Sequence, residues 1–225
     1  MLRTLAFLSI LFALTGALPA VAEDAAPEVS LEGLELVDKS RHGEIYQDPD
    51  VDWSAYTQIR LDPATVAFRK NWQRDQNRDH PFKVQEEDME RIKTSLAGLF
   101  GEVFTEELTE DGGYRMTAEN GPDVMRITPR IVDLDVYAPD TPTAARTDEY
   151  SESAGRMTLK LEIFDSVTGD LIATISDRQE DPRLHWMEWR TRVSNRQDAE
   201  RMLRRWAADL RERLDAARSR RTAAS

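Results

Sequence analysis

A chain of 225 residues, 40% hydrophobic and 32% charged, is long enough for one domain with a real core. Its formal net charge of −12 repels phosphate backbones and argues against general nucleic-acid binding. It contains no cysteine, which excludes disulfides, thiol nucleophiles, iron–sulfur ligation, Cys-type zinc sites and a lipid-modified N-terminal Cys.

Arg3 is followed by an apolar run from Leu5 to Leu18 and then by Ala20-Val21-Ala22. Positive, apolar, then small-x-small is the order of a secretory signal peptide, here residues 1–22. The run is shorter than the roughly 20 residues a spanning helix needs. The expected location is therefore periplasmic or secreted, after cleavage following Ala22. Residues 23–50 are acidic and read as a linker or arm closed by Asp48-Pro49-Asp50. Its one strand-like run, Leu31 to Val37, is an alternative edge strand.

Residues 51–217 read as a single α+β domain, and residues 218–225 as a basic tail. Tyr56 to Leu61 alternates, with Val66 and Phe68 continuing it past Asp62-Pro63, as a first strand. Arg69 to Val84 is polar and reads as an exposed loop. Gln85 to Leu108 places Met89, Ile92, Leu96, Leu99, Phe100 and Val103 at helical steps. Glu86, Glu87 and Asp88 suit its N-terminal turn, and Gly112-Gly113 stops it.

Tyr114 to Ala118 is a short strand. Val124 to Val136 is a longer one whose apolar parity changes after Pro129, which predicts a bulge or an edge there. Ala138 to Gly155 reads as a long loop. Met157 to Ile163 alternates, Asp165 to Asp170 turns, and Leu171 to Ser176 returns, which is a hairpin. Ser194 with Gln197 forms a capping box, and a last helix runs to about Ala217. The expectation is a two-layer fold, with about five strands in a mixed or antiparallel sheet and two amphipathic helices on one face.

Few residues carry chemistry. His42, His80 and His185 have no partner at metal-ligand spacing. Asp133 and Asp135, two apart on a strand, project from one face and with Asp140 resemble an oxygen-rich cation site, although no Gly-containing ligand loop accompanies them. Asp165 to Asp170 lacks the twelve-residue spacing of a calcium loop. No G-x-S-x-G elbow and no phosphate-binding glycine loop occur. No catalytic residue, metal or cofactor is assigned.

The C-terminal helix has more functional colour. From Ser194 to Ser225, nine Arg and no Lys stand against five acids. Arg201, Arg204, Arg205, Arg211 and Arg213 suit an acidic partner or anionic headgroups. Pairs four apart, Glu200–Arg204, Arg205–Asp209, Asp209–Arg213 and Arg211–Asp215, account for most of them within the helix. Arg204, Arg211 and Arg218 are the basic candidates for partner contact, with Trp186 and Trp189 as aromatic ones. Trp72 with those two is a possible ligand shelf.

The segments YTQIRLDPATVAF, VMRITPRIVDLDV and AGRMTLKLEIFDSVTGDLIATISDR, followed by the helix AERMLRRWAADLRERLDA, together resemble the bacterial family called domain of unknown function 3313. The resemblance spans about Trp53 to Ala216. It implies an envelope location and a sheet-plus-helices domain. Many members look like lipoproteins, and this chain departs from them in lacking the lipobox Cys. The family brings no reaction and no site residues.

The expectation is a non-catalytic binding or accessory protein of the cell envelope. An envelope protein partner, no nucleic acid and at most peripheral membrane association go with it. The alternative is a small-ligand binder or hydrolase using the loops around Trp72, Asp140 and Trp186. The first prediction concerns export: intact-mass analysis of protein recovered from the envelope fraction should find Glu23 at its N-terminus, and an intact Met1 there counts against the signal.

Overall fold

The computed structural model describes residues 33–79, 83–111, 113–136, 150–151, 155–180, 188–189 and 192–222. Their strands are β1 (Glu35–Lys39), β2 (Gly43–Gln47), β3 (Gln58–Leu61), β4 (Thr65–Phe68), β5 (Arg115–Met116), β6 (Val124–Val136), β7 (Tyr150–Ser151), β8 (Gly155–Asp165), β9 (Leu171–Glu180) and β10 (Glu188–Trp189). The helices are α1 (Trp72–Asp79), α2 (Glu86–Glu106) and α3 (Arg192–Thr222). The main sheet has eight strands in the order β1-β2-β9-β8-β6-β3-β5, with β4 also paired to β6. β7 and β10 form a separate two-stranded pair. The fold is α+β with a mixed sheet, as expected, but with more strands and one more helix than the sequence showed.

β6 is the spine of the sheet. It runs antiparallel to β8 on one side and parallel to β3 and then β4 on the other. Pairing with β3 ends at Leu61–Ile127, and pairing with β4 begins at Thr65–Arg130. The gap falls opposite Pro129, a residue with no N–H to give a neighbouring strand. Pro129 itself stays in register with Leu161. The bulge expected there sits further on: the register slips between Val132 and Asp135, and Asp133 takes φ 53°. Ile131 therefore remains in the core, and only Leu134 follows the second parity.

Ile59, Met125, Ile127, Ile131, Leu159, Leu161 and Ile163 line one sheet face, each at most 1% exposed. α2 and α3 cover that face. Leu96, Leu99, Phe100, Val103 and Phe104 of α2 are buried at three- and four-residue steps, and Phe100 stacks on Phe104 with centroids 3.9 Å apart. Each such side chain contributes about 1.5–3 kcal/mol by leaving water. The Gln85 N–H donates to Asp88 Oδ2 at 2.9 Å, closing the first turn of α2. α2 then runs into a π-helical turn, Glu107–Asp111, and Gly113 at φ 68° ends the segment. α3 buries Met202, Leu203, Trp206, Ala207, Leu210 and Leu214.

Three segments depart from the sequence reading. Residues 35–47, within the expected arm, form the β1–β2 hairpin, and β2 pairs with β9 from Gly43–Asp177 to Gln47–Ala173. β1 overlaps the strand-like run Leu31 to Val37, the alternative edge strand, whereas β2 carries little apolar signal and is set by its pairing with β9. Part of the expected loop at 69–84 is α1. A mean-polar stretch folds as a helix there because Trp72, 1% exposed, stacks on Phe68 and donates Nε1–H to the Val136 carbonyl at 3.1 Å. α3 begins at Arg192 and ends at Thr222, so Ser194 lies inside it and not at its cap. The signal region, residues 23–32 and most of the 138–154 loop fall outside the described residues.

The β8–β9 turn follows the expectation. Asp165 Oδ1 accepts the Val167 and Thr168 N–H groups at 2.8 Å, and the Gly169 N–H reaches the Asp165 carbonyl at 3.0 Å. Gly169 takes φ 77°, a region that side chains with a Cβ enter at a cost. Gly169→Val should therefore lower stability by about 1–3 kcal/mol, read from the midpoint of urea unfolding.

Candidate functional site

The basic candidates on α3 are occupied within the chain. Arg204 donates to Glu106 at 3.1 Å and to Glu200 at 3.0 Å. Arg211 bridges to Glu107 at 2.9 Å and to Asp215 at 3.5 Å. Arg218 places its guanidinium 4.9 Å from the centre of the Tyr114 ring. With Arg196–Glu102 at 3.0 Å, these contacts zip α3 to α2 and to the turn that follows it. Of the four pairs expected inside the helix, Glu200–Arg204 and Arg211–Asp215 form. Arg205 turns to Gln179 and Arg213 to Asp38.

The aromatic and acidic candidates do not gather. Trp186 and the Trp189 side chain fall outside the described residues, as do His80, Asp140 and His185. Trp72 is in the core and cannot serve as a ligand shelf. The bulge separates Asp133, which is exposed, from Asp135, which is 2% exposed, so the two do not form a paired cation site. Asp135 instead lies 2.9 Å from Arg69 Nε and 3.0 Å from Arg156, locking β4, β6 and β8 together where the sheet ends. His42 is exposed in the β1–β2 turn.

A cleft forms elsewhere, between the β1–β2 hairpin and α3. It measures about 220 Å³. Leu159, Leu161, Ile175 and Leu210 make its floor, Asp38, Glu44, Asp177, Asp209 and Arg213 its charged rim, and Trp206 one wall. Three local features hold it open. Trp206, 4% exposed, donates Nε1–H to Asp177 Oδ2 at 2.6 Å, tying α3 to β9. Arg213 reaches over to Asp38 at 2.7 Å, tying α3 to β1. Gly43 lets the hairpin come close, because a methyl group there would collide with the Ser176 carbonyl oxygen.

The charges on this rim do not balance. Asp38 takes Arg213, while Asp177 is met by a neutral indole. Asp209 forms neither a hydrogen bond nor an ion pair among the described residues. Its carboxyl is held above the ordinary value of 3.8, chiefly by burial; Arg213 pulls it back, and Asp177 and Glu212 push it further up. Sequence reasoning missed all five charged rim residues as a group. One signal was present: Asp177 shares strand parity with Ala173 and Ile175, so it stands on the buried face where an apolar residue is the norm. Nothing in one sequence marks Gly43 or brings β1 to α3.

With that geometry in place, the chain can be compared with known proteins. The family profile "Protein of unknown function (DUF3313)" matches residues 28–210, and the chain belongs to that family. The match begins ahead of Trp53 and takes in the β1–β2 hairpin. No curated protein matches the chain. Among solved structures, protein XCC0632 from Xanthomonas campestris, of the DUF330 family, is similar at 10% identity and a TM-score of 0.43, covering 87% of this chain and 96% of that one. The PelC dodecamer from Paraburkholderia phytofirmans is similar at 10% identity and 0.36, covering 75% and 97%. A putative neuraminyllactose-binding hemagglutinin homolog from Helicobacter pylori is similar at 12% and 0.33, covering 73% and 89%.

Asp209 gives this site a stability signature. A carboxyl raised in the folded state binds its proton more tightly there than in the unfolded chain. The cost of its charge is therefore present above the folded value and vanishes as pH falls below 3.8. Asp209→Asn should raise the melting temperature at about pH 7, and the gain should disappear by about pH 3, as followed by differential scanning calorimetry.

Proposed function

We propose that the protein is an exported, non-catalytic binding or accessory module of the cell envelope, and that the cleft between β2 and α3 is its contact site. The observation that carries this reading is the preformed cleft itself, an apolar floor under a rim whose acids outnumber its cations. A group of that size fits a single side chain or a small molecule, since drug-sized pockets run to about 300–1,000 Å³. The export signal supplies the compartment. Among the described residues no helix is long and apolar enough to cross a membrane. The burial of Trp72 weighs against the alternative of a hydrolase built on the Trp- and acid-rich loops.

The test separates binding from chemistry. The purified protein should retain a component of envelope extract when immobilised, and Ser40→Trp, which fills the cleft mouth from the hairpin turn, should abolish retention. Unchanged retention by that variant moves the contact site off the cleft. Turnover of chromogenic ester, phosphate or glycoside substrates by the unmodified protein overturns the non-catalytic reading.

A further inference from the structure

We propose that the cleft between β2 and α3 receives a single ammonium group carried on an apolar stem. This rests on reading the cleft as the binding site. The floor and the rim ask for different halves of one ligand. Leu159, Leu161, Ile175 and Leu210 offer hydrocarbon to a stem. Above them, Arg213 pairs with Asp38 at 2.7 Å, Asp177 meets only the neutral Trp206 indole, and Asp209, on which Arg213 and Arg205 act through space, makes no ion pair among the described residues. An anionic headgroup would add a third negative charge beside these two and is repelled.

Size and chemistry narrow the class. At about 30 Å³ for each water of liquid, 220 Å³ holds about seven waters, or a stem of several heavy atoms. A bare divalent cation wants six to eight oxygens, and the floor of this cleft is Leu and Ile, which offer none. A lysine-type group matches both halves, being a compact charge on a four-carbon stem. The shared chemistry covers two sources, a free alkylamine and a lysine side chain of a partner polypeptide.

Trp206 provides the reporter, because its indole N–H donates to Asp177 at the cleft wall. Its indole signal in a proton–nitrogen NMR spectrum, assigned as the one lost in Trp206→Phe, would be followed in the full chain. The probes are n-hexylamine, n-hexanol and a blocked tripeptide with one central lysine. We expect saturable shifts with hexylamine, and hexanol weaker by about tenfold or more, as one charge-assisted contact implies. Asp209→Asn, an isosteric change that removes only the charge, should weaken hexylamine by about tenfold and leave hexanol unchanged. A tripeptide that binds more tightly than hexylamine assigns the site to a partner's lysine; the reverse order assigns it to a small amine.

Equal binding of hexanol and hexylamine, or no effect of Asp209→Asn, overturns the ammonium assignment while leaving the cleft a binding site. The absence of any saturable shift with all three probes overturns it as well. Envelope-component retention that Ser40→Trp abolishes would then show that the binding reading survives with a different ligand.

Discussion

The height of α3 above the sheet rests on one side chain. Trp206 buries its ring between α3 and β9 and spends its only polar atom on Asp177. An indole of that size keeps a helix from settling onto a sheet, and its N–H fixes the helix sideways. The contact does two things at once. It satisfies a carboxylate that stands on the apolar face of β9, and it leaves space next to itself. That space becomes a cleft only because the β1–β2 hairpin closes its other side, and the hairpin comes that close only because residue 43 is glycine.

The electrostatics of the molecule follow the same division of labour. An acidic chain with an arginine-rich last helix invites the idea of a basic face turned outward. The fold instead turns three of those arginines, Arg196, Arg204 and Arg211, toward α2 and the turn after it, where Glu102, Glu106 and Glu107 receive them. Exposed pairs of this kind contribute about 0–1 kcal/mol each, so their role is to set the register of two helices already held by apolar contact. Arg211 with Glu107 is the more sheltered pair. It joins α3 to the π-helical turn that ends α2, where an ordinary helical end would place Glu107 differently. With the cations used there and at Asp38, the negative charge of Asp177 and Asp209 stays uncompensated at the cleft.

On β6, Asp135 shows how a bulge decides chemistry. Two aspartates spaced two apart on a regular strand would share a face and a charge. The slip at Asp133 sends one to water and the other inward between Arg69 and Arg156. A buried carboxylate between two guanidiniums is a strand lock: removing both arginines would leave its charge stranded in low dielectric, so Asp135 holds Arg69 and Arg156 to β6. Trp72 and Gln76 close over the same corner by donating to the Val136 carbonyl. What looked like a metal site and a ligand shelf is thus a structural joint.

Local pattern by itself determined the β8–β9 hairpin and its turn, the long strand β6, the apolar faces of α2 and α3, and the α+β class. Those features rest on alternation, helical periodicity and turn chemistry, all of which act between residues close in the chain. Only the tertiary structure decided where the charges go and where a cleft opens. Asp38 and Arg213 lie far apart in sequence yet 2.7 Å apart in space. In the hairpin at 35–47 only the first strand left a trace in the sequence; β2 has too few apolar residues to declare itself and exists as a strand because β9 offers it backbone partners. α1 is a helix because a single tryptophan has somewhere to be buried. A polar or edge segment takes its conformation from the surface that receives it, and that surface is assembled from residues distant in the chain.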